Sequence, residues 1–121
     1  MNPKLLVKQL KSFIYAFDGI KTAMYSQVNM VMHVVAATIA LLMAWFYHIS
    51  KIEFCIIIVC IALVISMELL NTAIEIICDF IHPNKHEKIK QIKDISAAAV
   101  LITAVAALVI GLVIFIPKFA H

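Results

Sequence analysis

Residues 97 to 116 run for twenty positions without a charged side chain. As a helix, such a run is about 30 Å long, the thickness of a bilayer's hydrocarbon core. Two more apolar runs precede it, residues 28–48 and 52–78. Hydrocarbon offers no water to backbone N–H and C=O groups, so a spanning segment satisfies them internally, as a helix does. Three spans in 121 residues, 64% of them hydrophobic, leave no room for a soluble domain of ordinary size. The expected fold is an all-α membrane protein with one membrane-embedded domain over residues 1–121, its third span covering 95–116.

The segment before the first run has a different pattern. Leu6, Leu10, Phe13, Phe17, Ile20 and Met24 recur at spacings of four and three. Lys4, Lys8, Lys11, Tyr15, Asp18 and Thr22 follow the same rhythm out of phase, which places them on the opposite face. Asn2 followed by Pro3 is a helix start. Residues 2–25 therefore read as an amphipathic helix lying in the membrane surface, lysines toward water.

The basic residues are ten lysines and no arginine. They concentrate in the N-terminal segment and in the second polar loop, at Lys85, Lys88, Lys90 and Lys93. The positive-inside rule makes both cytoplasmic, as in a multi-pass membrane protein with its N-terminus inside. Net charge +3 without aromatic-interleaved basic patches suits anionic lipid headgroups rather than nucleic acid. With only Gly19 and Gly111, no phosphate-cradling glycine loop exists. Cys55, Cys60 and Cys78 lie in apolar runs without metal-ligand spacing and read as buried free thiols. His82 and His121 read as solvated, and Glu53 as a turn residue.

The second run is longer than a bilayer needs and carries acids near its end. Glu68, Asn71, Glu75 and Asp79 are spaced three, four and four, one helical stripe about 16 Å long. A charged side chain at bilayer depth costs roughly 2.5–3.5 kcal/mol on insertion scales, so this stripe faces a bundle interior or a wet cleft. Gln27, Asn29 and His33 enter the first span from the same side, and Lys93 and Asp94 stand just before the third. Phosphoryl transfer needs cations over the phosphates, carboxylates for Mg²⁺ and a base for the attacking hydroxyl, and these residues supply that set. Proton relay in a small ion-coupled transporter needs only one or two intramembrane acids, and a purely structural polar cluster needs no chemistry at all. Spacing alone leaves all three open.

The run ELLNTAIE at 68–75, followed by Asp79 and by KDISAAAVL at 93–101, resembles the small bacterial diacylglycerol kinase and undecaprenol kinase family. YAFDGI at 15–20 and GLVIFIPK at 111–118 extend the likeness over most of the chain. The resemblance implies a surface helix plus three membrane helices, a homotrimer, ATP as phosphoryl donor, Mg²⁺, and a membrane lipid whose hydroxyl is phosphorylated. By position, Glu68 resembles the catalytic base and Glu75 a metal-binding glutamate. Asn71, Lys93 and Asp94 resemble groups that hold nucleotide phosphates and metal. His86 falls where the family has a histidine near the adenine, and Asp79 matches a recurrent acid at the helix end. One departure is Gln27, where the family usually has a second metal-binding glutamate, so the resemblance also admits a catalytically weakened relative. Ala97 stands where some diacylglycerol kinases have serine, which leans toward the undecaprenol branch.

Overall fold

The computed structural model describes residues 2–120 and is built of four helices: α1 (Pro3–Ser26), α2 (Val28–Phe46), α3 (Lys51–Ile81) and α4 (Glu87–Phe119). His121 lies outside the described residues. The last three helices are long and apolar enough to cross a membrane. The expected all-α architecture, an N-terminal helix followed by three spanning helices, is the one observed.

Each helix boundary has a local cause. At α1, the Asn2 side chain accepts a hydrogen bond from the Lys4 amide at 3.0 Å, and Pro3 occupies the first turn, where its missing N–H costs nothing. The only described residue that α1 buries is Ala23. Its apolar stripe, including Phe13 and Phe17, is exposed on the isolated chain, as a helix seated in a lipid surface requires. Gln27 alone separates α1 from α2, in extended backbone conformation. The turn after α2 passes through His48, whose φ of 51° is the one positive value among the described residues. α3 then starts at a capping box, in which Glu53 N–H donates to the Ser50 hydroxyl and Ser50 N–H donates to the Glu53 carboxylate. Glu53 is therefore part of α3, rather than of the turn, because the box satisfies two amides that helix geometry leaves free. The same carboxylate lies 3.4 Å from Lys118 Nζ, tying the start of α3 to the end of α4.

α3 has 31 residues, about 46 Å of helix, so it outruns the hydrocarbon and projects its C-terminal turns. α4 begins at Glu87, eight residues before the expected start of the third span. The lysine-rich stretch read as loop is mostly its first two turns, since lysine and glutamate are good helix formers and only 82–86 holds breakers. α4 also continues past Pro117 to Phe119, because a proline in the last turn removes one hydrogen bond without a following helix to disrupt.

α3 and α4 make the most extensive helix pair, and α2 packs on α3. The core sits toward the α2–α3 turn, where Ala44, Ile57, Ile114 and Phe115 cluster with Tyr47 against them. Tyr47 stacks edge-on with Phe46 and Phe119. Of the cysteines, only Cys78 is buried; Cys60 is half-buried and Cys55 is exposed on the helix surface.

Candidate active site

The acidic stripe of α3 shows graded burial. Glu68 and Asn71 are 1% and 5% exposed, Glu75 is half-buried and Asp79 is exposed. The gradient follows the projection of α3 beyond the start of α2 toward its C-terminus. The neighbouring Thr72 is also buried, its hydroxyl donating to the Glu68 carbonyl at 2.9 Å, so it uses its hydrogen-bonding capacity within the helix.

Glu68 stands out. Neither carboxylate oxygen has a hydrogen-bond partner, nor does the Asn71 side-chain oxygen one turn on. The nearest charge-bearing group is His33 of α2, whose Nε2 lies 3.6 Å from Glu68 Oε2, beyond a normal hydrogen bond. Buried acceptors are almost always satisfied, and an unpaired buried carboxylate is costly. Three acceptor atoms on one buried stripe are thus without a donor among the described residues; a hydroxyl is one kind of group that could supply it.

Around this centre the structure places the other expected residues. Gln27 reaches from the α1–α2 junction to α3, where its side-chain amide donates to Glu75 Oε2 at 2.5 Å. Lys93, on α4, donates to Asp79 Oδ1 at 2.6 Å, which joins the ends of α3 and α4 across the 82–86 connection. The negative charges of Asp79 and Glu75 both act on its ammonium. Asp94 faces outward and pairs with Lys90 one turn earlier, at 2.6 Å and largely exposed. His86 is the N-cap of α4; its Nδ1 accepts from the Lys88 amide at 3.1 Å, and its ring stacks on that of His82. His82, expected to be solvated, is half-buried, with Nδ1 within 2.8 Å of the Asn84 carbonyl. Asn29, in the first turn of α2, is exposed and is not drawn into the cluster. The contact of His33 with Glu68 was not read from the sequence, where His33 passes for an ordinary intramembrane polar residue. Its equal depth with the acidic stripe was the available signal.

No group of three or more metal-ligating acids, histidines or cysteines exists among the described residues, so the protein alone builds no metal cage. What it offers is one carboxylate, Glu75, beside an amide. The carboxylate fits Mg²⁺, which commonly takes one or two carboxylates and completes its shell with waters and substrate phosphates, while the amide as placed turns an N–H toward it. An apolar groove of about 500 Å³ runs between α2, α3 and α4, from His33 past Ala40 and Val64 to Phe119. It leads away from Lys93 and Glu75, so it suits hydrocarbon and not a nucleotide.

Fold and site together define a small all-helical membrane protein with a buried, unpartnered carboxylate and a charged cluster at one end of its bundle. The family described as prokaryotic diacylglycerol kinase matches residues 14–115. Among curated proteins, the chain is 41% identical over 108 residues to the undecaprenol kinase of Bacillus subtilis (strain 168), covering 89% of this chain and 88% of that one. It is 34% identical over 116 residues to the diacylglycerol kinase of Synechocystis, covering 95% of this chain and 64% of the relative. It is 30% identical over 100 residues to the diacylglycerol kinase of Escherichia coli K12, covering 83% and 82%. The chain belongs to the prokaryotic diacylglycerol kinase family. It is a lipid kinase, and no feature of fold or similarity favours the transporter reading.

Proposed function

We propose that this chain transfers the γ-phosphoryl group of ATP to the terminal hydroxyl of a polyprenol in the cytoplasmic leaflet of a bacterial inner membrane. The observation that carries the reading is the buried Glu68 carboxylate with two unpartnered oxygens. The lipid hydroxyl donates its hydrogen bond to Glu68, which takes the proton as the hydroxyl oxygen attacks the γ-phosphorus. The bond between that phosphorus and the β,γ-bridging oxygen breaks, and ADP leaves. Asn71 offers its free side-chain oxygen to the same region, one turn along α3. Lys93 places its ammonium over the phosphates, with Asp79 holding it until they arrive. Glu75 would hold a divalent cation, which would supply charge neutralisation for the phosphates. His86 orders the start of α4, where the nucleotide's base approaches.

The lipid tail lies along the apolar groove that begins at His33, within reach of Glu68. The higher identity to the undecaprenol kinase, 41% against 34% and 30%, supports a polyprenol over diacylglycerol. The exposed Ala97, Ala98 and Ala99 keep this part of α4 slender around its circumference, which would let another copy approach closely, as in a homotrimer. The test presents undecaprenol and diacylglycerol side by side to purified protein with labelled ATP. Label in undecaprenyl phosphate in excess over phosphatidic acid is the expected result; preferential labelling of phosphatidic acid reverses the substrate assignment, and no label in either lipid refutes the kinase reading.

A further inference from the structure

Gln27 has two structural duties. Its backbone ends α1 and starts α2, with its N–H donating to the Ala23 carbonyl at 3.1 Å. Its side chain makes no capping bond to α2, although it stands at the N-cap. It is committed instead to Glu75, across 48 residues of sequence. An ionised carboxylate only accepts hydrogen bonds, so the amide must face it with N–H and turn its own carbonyl away. The side of the amide that meets Glu75 is therefore the wrong one for a cation. A metal ion using the same carboxylate oxygen would meet an N–H dipole with its positive end forward, as well as the nearby Lys93 ammonium.

We propose that Gln27 latches Glu75 in the nucleotide-free protein, so that the divalent cation enters only together with the nucleotide's phosphates. The proposal rests on the kinase reading above and adds an order of binding to it. Without nucleotide, the site presents one carboxylate already engaged by a donor, too little to strip water from Mg²⁺, which dehydrates reluctantly. The phosphates change both conditions. They bring their own oxygen ligands, and they compete with the carboxylates for Lys93. The amide then rotates about its terminal bond and offers its carbonyl oxygen, a neutral ligand that suits a cation already carrying phosphate charge.

The experiment is a Mn²⁺ titration of the purified chain in detergent, with and without a non-hydrolysable ATP analogue, in which protein-bound ion is counted by electron paramagnetic resonance after subtracting a matched titration of the analogue without protein. The wild-type chain is expected to bind Mn²⁺ only with the analogue present. Gln27→Glu is expected to bind Mn²⁺ alone, at least about tenfold tighter than wild type, because a second carboxylate replaces the donor. Wild-type protein binding Mn²⁺ without nucleotide as tightly as with it overturns the proposal, and this arm needs no variant to fold. Retained analogue-dependent Mn²⁺ binding in Glu75→Gln also overturns it, since the ion is then elsewhere. Phosphoryl transfer to lipid by the same wild-type preparation tests the kinase reading separately.

Discussion

Replacing Glu68 by Gln separates a catalytic carboxylate from a structural one. The substitution preserves shape and removes one negative charge from a position 1% exposed. Both oxygens of the native group lack partners, and His33 Nε2 stands off at 3.6 Å, so the change breaks no hydrogen bond inside the protein. Stability should therefore not fall. A buried carboxylate without a donor is more costly than a buried amide of the same volume, so the variant is expected to unfold at the same temperature as wild type or higher. Activity should behave in the opposite way. Loss of a general base typically costs about 10²- to 10⁴-fold, or about 2.7–5.4 kcal/mol of barrier. The assay pairs labelled-ATP transfer to undecaprenol in mixed micelles with thermal unfolding of the detergent-solubilised protein. A variant that keeps more than about a tenth of wild-type kcat removes the base assignment. A variant that loses activity only because it unfolds earlier shows that Glu68 holds a structural contact, and the argument from its unpartnered oxygens fails.

Lys93→Met should lower kcat/KM for ATP by about 10- to 100-fold, as expected when a charged hydrogen bond to a phosphate is lost. Asp79→Asn, which leaves the lysine in place, should cost less than about tenfold; equal losses in steady-state kinetics would show that the ion pair, not the ammonium, is what matters. Ser50→Ala should destabilise the start of α3 by about 1 kcal/mol through loss of the capping box, read as a lower unfolding temperature with phosphoryl transfer unchanged. Lys118→Ala at the same end should lower the unfolding temperature only slightly, since the Glu53 pair is partly exposed; a large drop in the same assay would mean that the lysine stem also packs against the aromatic cluster.

The spanning helices were legible because hydrocarbon permits so few backbone solutions. Twenty uncharged residues up to Ile116 leave the chain little choice, and the four-and-three rhythm of Leu6, Leu10, Phe13 and Phe17 defines a helix with one oily face before any contact is considered. The acidic stripe was equally plain, because Glu68, Asn71, Glu75 and Asp79 share a face of any helix that contains them. The extent of α4 was less so. Lys88, Lys90 and Lys93 read as loop by their charge, yet helix propensity depends little on charge, and the true break is confined to 82–86.

What spacing along one helix does not contain is the distance to another. That His33 faces Glu68, that Gln27 engages Glu75, and that Asp79 rather than Glu75 takes the Lys93 ammonium all depend on how α2, α3 and α4 pack. The same holds for burial along the stripe: four polar residues of equal standing in sequence become two hidden, one half-covered and one exposed, because α3 runs on past the start of α2. Local periodicity is a property of the backbone and can be read from residue order. Which side chains meet is decided by side-chain packing between helices, and that exists only once the chain has folded.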